Sequence, residues 1–137
     1  MTFDGINYLA VLIAAVAAWV LAIAWYQILI KRWLAREGKS ETELGPRNEP
    51  KAYVLFVLVV QLIMARILAD VVGHAGDVAL DQGIIWAGLC FLGFVGPVLV
   101  TNIYVLGRRG MLCAIEFGYW FVALALMGAI IGAFGVD

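Results

Sequence analysis

Four long apolar segments, separated by short polar stretches, make up most of the chain. They cover residues 7–30, 52–72, 83–106 and 111–134. A helix needs about 20 apolar residues to cross the hydrocarbon core of a bilayer. Open sheet is excluded there, because its edge groups would lack hydrogen-bond partners. The pattern therefore predicts an all-α fold, a polytopic membrane protein whose single domain, residues 1–137, is a four-transmembrane-helix bundle.

Composition favours lipid as the solvent of this bundle. Of the 137 residues, 65% are hydrophobic and 14% are charged, and the mean hydropathy is +1.01. Soluble domains are about 45–50% apolar and about 25% charged, and a short one cannot bury so much apolar surface. The lipid bilayer is the expected partner, and the net charge of −1 gives no indication of a nucleic-acid partner.

The basic residues predict how the chain is oriented in its membrane. Eight of the nine lie in residues 31–51 and 107–110, and the other connections and both termini carry none. Because Lys and Arg accumulate on the cytoplasmic side, the first and third loops are expected to be cytoplasmic. Both termini are then outside the cytoplasm, an N-out/C-out arrangement.

Small residues at a spacing of four predict where helices meet. In lipid, helices associate through close van der Waals approach and interhelical hydrogen bonds, which small residues permit. The first helix carries a ladder of alanines and the fourth a GxxxG pair: Ala10, Ala14, Ala18, Ala22, Gly128 and Gly132. Gly93 and Pro97 predict a kink in the third helix, because proline lacks a backbone donor.

Charged residues inside the second helix are the first candidates for chemistry. Arg66, Asp70 and His74 are spaced by four and share one helical face. A charge in the bilayer is costly and usually has a partner, so a structural Arg66–Asp70 ion pair is expected. A charged lining for an ion, proton or anionic ligand, and pairing with a partner subunit, are the alternatives. Gln61 faces elsewhere and is expected to bond another helix rather than a ligand.

A second polar group is expected near the cytoplasmic ends of the other helices. Its members lie at similar depth: Gln27, Thr101, Asn102 and Glu116. Arg108 or Arg109 could reach Glu116 across the short turn between the third and fourth helices. We interpret the group as a polar clasp that fixes the bundle, with a proton-relay or substrate role as the alternative. In the first loop, Ser40 to Glu43 has the form of a helix capping box and predicts a short surface helix.

No set of residues for catalysis or metal binding is apparent in the sequence. The single histidine cannot supply two haem ligands, and no Cys/His spacing suits zinc. Nucleophile elbows and phosphate-binding loops are missing as well. The sequence therefore predicts neither an enzyme nor a cofactor.

Several short segments have the outline of a known family. They are Ala24-Trp25-Tyr26 followed by Lys31-Arg32-Trp33, Ser40-Glu41-Thr42-Glu43-Leu44, Asn102 with Tyr104, Gly118-Tyr119-Trp120, and Leu126-Met127-Gly128-Ala129-Ile130-Ile131-Gly132. On these segments the chain resembles the bacterial membrane-protein family catalogued as domain of unknown function 1761. Gln27, Arg66 and Asp70 depart from its pattern. The resemblance implies a four-helix protein of the bacterial inner (cytoplasmic) membrane and offers no activity or ligand.

These observations favour a small membrane protein that is a non-catalytic accessory or self-associating subunit. Nearly all of its residues lie in the membrane, so its contacts with a homo-oligomer or a partner membrane protein must form there. The alternative is a small oligomeric channel or transporter, whose polar path the second, third and fourth helices would line.

Overall fold

A computed structural model of the chain describes residues 5–37, 50–107 and 110–135, and these contain helices and no strand. The elements are α1 (Tyr8–Glu37), α2 (Pro50–Ala75), α3 (Leu80–Cys90), a π-helical turn (Phe91–Val95), α4 (Gly96–Leu106) and α5 (Gly110–Phe134). The chain runs without a break from α3 through the π turn into α4, so these three form one span.

The prediction of four helices long and apolar enough to cross a membrane is confirmed. The apolar spans are Tyr8–Leu29, Val54–Ala75, Leu80–Val105 and Cys113–Phe134. They run alternately up and down, so α1 begins, α2 ends, α3 begins and α5 ends at one end of the bundle. We call this the Tyr8 end, and the opposite one the Glu37 end.

Several helix ends differ from the predicted ones. α1 continues to Glu37 rather than ending at residue 30, and the second loop shrinks from residues 73–82 to residues 76–79. An apolar sequence predicts only the part of a helix that lipid covers. The backbone hydrogen bonds of the helix continue into the polar residues beyond it. α2 ends just before Gly76. The φ of Gly76 is 142°, a backbone conformation that residues with a side chain rarely adopt. The surface helix expected at residues 40–43 lies outside the described residues, as do Arg108 and Arg109.

α5 is the helix around which the bundle is built. It packs along both α1 and α3, while α2 packs mainly along α1 and makes narrower contacts with α3 and α5. The residues of the alanine ladder, Ala10, Ala14, Ala18 and Ala22, are all buried on the inner face of α1. Short side chains there let α1 approach its neighbours closely.

The contact between α3 and α5 is a seam of glycines. A β-carbon on Gly83 would collide with the backbone oxygen of Gly128, and one on Gly128 would collide with that of Gly83. One turn further, a β-carbon on Gly132 would meet the carbonyl oxygen of Ala79. The two backbones therefore touch directly, which no residue larger than glycine allows at these positions.

The irregularity expected near Gly93 is the π-helical turn, and beyond it α4 makes few contacts with the bundle. Phe91, in the turn, is buried against the rings of Phe117 and Phe121, with ring centroids 4.9 and 5.3 Å away. Beyond the turn α4 packs mainly against α5. Only Gly96 of its described side-chain positions is buried, and Tyr104 is 86% exposed.

Candidate functional site

A buried polar junction joins three helices in the middle of the bundle. Gln61 of α2 donates a hydrogen bond from Nε2 to the hydroxyl of Tyr119 in α5, with 2.5 Å between the atoms. The Tyr119 hydroxyl donates in turn to the carbonyl oxygen of Ala18 in α1, at 2.9 Å. Gln61 is 0% exposed and Tyr119 is 1% exposed. The small side chain of Ala18 leaves its carbonyl open to this second donor.

One atom of the junction has no hydrogen-bond partner among the described residues. Gln61 Oε1 is buried and accepts no hydrogen bond from the described residues. An amide oxygen has two lone pairs to satisfy, and leaving a buried acceptor unpaired costs about 1–3 kcal/mol. Because the amide is nonetheless held in place by Tyr119, the junction fixes how α2 and α5 face each other at some expense in stability.

Aromatic side chains surround the Tyr119 ring and close the junction from the Glu37 end. The rings of Trp25, Tyr26 and Trp120 lie 6.4, 5.2 and 5.0 Å from it, centroid to centroid. Trp25 donates from Nε1 to the carbonyl oxygen of Ile115, at 3.0 Å. Its ring crosses above Gly118, where an added β-carbon would come within 3.2 Å of it. The lack of a side chain at 118 thus makes room for the indole.

The charged face of α2 lies nearer the Tyr8 end and is only partly buried. The closest nitrogen and oxygen of Arg66 and Asp70 are 3.9 Å apart, with 26% and 19% of the side chains exposed. The Arg66 guanidinium lies 5.7 Å from the ring centroid of Tyr8. His74 Nδ1 is 2.8 Å from the Asp70 carbonyl oxygen and 3.5 Å from its carboxylate. The predicted Arg66–Asp70 pair is therefore present, as a loose contact with an aromatic cover.

The polar residues expected to converge near the Glu37 end are not brought into one cluster. Gln27 and Asn102 are exposed, and the Thr101 hydroxyl donates to Pro97 of its own helix, at 2.8 Å. Glu116 is half-buried on α5. The proposed reach of Arg108 or Arg109 to Glu116 involves residues that lie outside the described part of the chain.

The described residues hold no group of three or more His, Cys, Asp or Glu side chains arranged for a metal ion. A small recess at the Tyr8 end is bordered by residues of α1, α2 and α5 and by the neighbouring connections, among them Asn7, Ala69 and Ile131. The Asn7 side chain there accepts from the Ala10 backbone N–H at 3.2 Å and so caps α1. This arrangement stabilises a helix end and presents no reactive group.

Comparison of the sequence with known protein families identifies the family of this chain. Residues 9–132 match the family described as "Protein of unknown function (DUF1761)". The chain belongs to this family. The resemblance drawn from its short segments is thus confirmed. No curated protein and no solved structure matches the chain.

Two of the short segments on which the chain resembles DUF1761 meet at the buried polar junction. Trp25 and Tyr26 from the first segment pack against Tyr119 from the fourth. Sequence reasoning singled out Gln61 but not its partner Tyr119. The signal was available, because a tyrosine in the middle of a span needs a partner for its hydroxyl. What the sequence could not supply was the pairing, since the two residues lie 58 positions apart.

Proposed function

We propose that the chain is a non-catalytic accessory or self-associating subunit of the bacterial inner membrane, with both termini outside the cytoplasm. Its four apolar helices and its family support a multi-pass membrane protein. The concentration of basic residues in residues 31–51 and 107–110 supports the orientation. A subunit of this size with short connections must make its contacts within the bilayer.

The observation that carries the proposal is that α4 packs only narrowly against its own bundle. α1, α3 and α5 each bury a continuous strip against at least one neighbour. Among the described side chains of α4 beyond Gly96, only Leu99 and Ile103 are half-buried and the others are exposed. Its exposed face includes the polar Asn102. Polar side chains on a span favour hydrogen bonds to other helices. A half-span with such a face is suited to docking against another protein in the membrane.

The channel alternative receives less support from the placement of its residues. Gln61 is sealed in the bundle, Arg66 and Asp70 lie toward the Tyr8 end, and Asn102 faces outward from α4. These side chains do not form a continuous polar line within one chain. A conducting path along these side chains would therefore require several copies of the chain.

Gentle extraction followed by native mass spectrometry tests the proposal. We expect a complex of fixed stoichiometry, containing either further copies or a second membrane protein. The complex should weaken in Asn102→Leu and persist in the matched control Thr101→Val, whose hydroxyl is already bonded within α4. A monomer under all mild conditions would overturn the proposal. Proton-dependent flux in liposomes that Arg66→Ala or Glu116→Gln abolishes would replace it with the channel alternative.

A further inference from the structure

The π turn leaves one backbone carbonyl group without its usual donor. In an α-helix each carbonyl accepts from the N–H four residues later. The N–H of Gly96 instead donates to Phe91, five residues earlier, and the N–H of Val95 bonds in the same π pattern. The next residue, Pro97, has no N–H that could take their place. The Leu92 carbonyl therefore has no backbone donor from the described part of its own chain.

This acceptor lies on the open side of the third span. The side chains of Leu92 and Phe94 are 69% and 75% exposed, and a β-carbon placed on Gly93 between them would meet nothing within 4 Å. Leu92 is 12 residues after Leu80 and 14 before Leu106, the ends of α3 and α4, which is roughly 18–21 Å from each. A carbonyl at this depth must find its donor in a protein, because lipid has none to offer.

The same chain carries an unused donor on α5. The Trp120 indole is half-buried beside the Tyr119 ring, with 5.0 Å between centroids. Its N–H has no acceptor among the described residues. The indoles of Trp19 and Trp25, in contrast, donate to backbone carbonyls of neighbouring helices. Since a buried indole N–H usually finds an acceptor, we expect the acceptor of Trp120 to come from outside its own chain.

The donor and the acceptor lie at the same depth in the bundle. Phe91 packs against Phe117 and Phe121 of α5, so the next residue, Leu92, is level with the turn of α5 that holds Trp120. The Leu92 carbonyl points toward the Glu37 end, because a helix carbonyl points toward the C-terminus of its helix. The Trp120 side chain leans toward the same end, because side chains tilt toward the N-terminus of their helix.

We propose that the chain self-associates through this pair, with the Trp120 N–H of one copy donating to the Leu92 carbonyl of the next. Copies in one orientation are related by a rotation about the membrane normal, which leaves the depth of every atom unchanged. A shared face gives a two-fold dimer with two such bonds, and separate faces give a closed ring with one bond per contact. The inference rests on the self-associating form of the proposed function and specifies its contact.

Three further side chains with accessible N–H groups lie at other depths. Trp86 precedes Leu92 by six residues and Asn102 follows it by ten, roughly 9 and 15 Å along the helix axis. Gln27 follows Ala18, whose carbonyl belongs to the junction, by nine residues, roughly 13 Å. In a copy of the same orientation these groups are not level with the Leu92 carbonyl, whereas Trp120 is.

Two variants of the full chain test the contact from its two sides. Trp120→Phe keeps an aromatic ring and removes the N–H. Pro97→Ala supplies an N–H five residues after Leu92, which satisfies the carbonyl from within. Trp86→Phe is the matched control, because it makes the same change in a half-buried indole at another depth. Energy transfer between copies that carry two different dyes, in liposomes of rising lipid content, gives the apparent dissociation constant.

We expect an oligomer whose dissociation constant rises about three- to eighteen-fold in Trp120→Phe and in Pro97→Ala, the range for one interhelical hydrogen bond. The double variant should associate no more weakly than either single one, because both changes remove the same bond. Trp86→Phe should leave the constant unchanged. Additive effects of the two changes, or none, would overturn the contact and leave self-association in place.

Photocrosslinking in native membranes identifies the neighbour. A benzophenone analogue of phenylalanine at position 94 should crosslink to the part of α5 around Trp120 in a second, differently tagged copy. Crosslinks only to lipid would overturn the contact. Crosslinks only to a different membrane protein would overturn it as well, while the accessory form of the proposed function would stand. A monomer in native mass spectrometry would remove both.

Discussion

The backbones of Gly83 and Gly128 touch so closely that neither residue has room for a β-carbon. Each carbonyl oxygen lies where the other residue's side chain would begin. Such contacts replace the hydrophobic drive that is missing between helices in lipid, and weak hydrogen bonds from Cα–H groups to carbonyl oxygens add to them. The seam is therefore the most sterically constrained contact in the bundle.

Alanine at either position should separate α3 from α5. We expect Gly83→Ala and Gly128→Ala each to lower the free energy of unfolding by about 1–3 kcal/mol, the usual cost of overpacking. The control is Gly88→Ala, which lies in open space and should be neutral or stabilising by up to about 1 kcal/mol, because alanine favours helix. Unfolding in mixed micelles of rising SDS content measures the difference. Equal effects at positions 83 and 88 would contradict the seam.

Loss of the Tyr119 hydroxyl should cost more than loss of the Gln61 amide. Tyr119→Phe leaves the Gln61 amide buried without any partner, so we expect a destabilisation of about 1–3 kcal/mol. Gln61→Met removes an amide that already has an unsatisfied oxygen and should be nearly neutral. In the Gln61→Met background, Tyr119→Phe should cost less by about 0.6–1.7 kcal/mol. The same unfolding assay on all four chains measures this coupling, and strictly additive effects would argue against the junction.

The Arg66–Asp70 pair should contribute little to stability. Its 3.9 Å separation and its partial exposure resemble surface pairs, for which coupling energies are about 0–1 kcal/mol. A double-mutant cycle of Arg66→Met and Asp70→Asn should fall in that range and shrink at high salt, because exposed charges are screened. Tyr8→Leu should have a separate effect of about 0.5–1 kcal/mol by removing the ring near the guanidinium. A coupling of several kcal/mol would instead indicate a fully buried pair.

The orientation can be read from single cysteines in a chain whose Cys90 and Cys113 are replaced by alanine. A membrane-impermeant maleimide should label Val136→Cys in intact cells, because the C-terminus is expected outside the cytoplasm. Ser40→Cys, in the basic first loop, should react only after the membrane is permeabilised. The reverse pattern would show that the basic residues do not set the topology.

The sequence predicts the number, type and approximate place of the spans, because hydropathy alone decides which segments lipid can cover. It does not predict that α1 runs on to Glu37, since backbone bonding beyond the membrane leaves no apolar signal. Gly93 and Pro97 indicated an irregular third helix, but its form depends on how Gly96 and Phe91 bond. Phe91 of this turn packs against Phe117 and Phe121, residues that the local sequence does not contain.

The candidate site was predictable in its parts and not in its assembly. Gln61 could be singled out because a lone amide in a span needs a partner, and the alanine ladder showed which face of α1 is suited to close contact. The meeting of Gln61, Tyr119 and Ala18 depends on the rotation of three helices about their axes. Gln27 and Asn102 were expected to meet because they lie at similar depth, but both are exposed. Depth alone does not predict which way a side chain faces.

The Tyr119 hydrogen bond joins residues that are far apart in the sequence, and this separation has a consequence for biosynthesis. Its acceptor, Ala18, precedes it by 101 residues, and Trp25 precedes its own acceptor, Ile115, by 90. A ribosome adds about 5–20 residues per second, so α1 is complete about 5–20 s before the helix that closes over it. Until the third span follows, the first two spans pack on each other, through contacts such as Trp19 to Val54. The nascent hairpin is therefore the stage at which the insertion machinery and quality-control proteases have access to the inner face of α1.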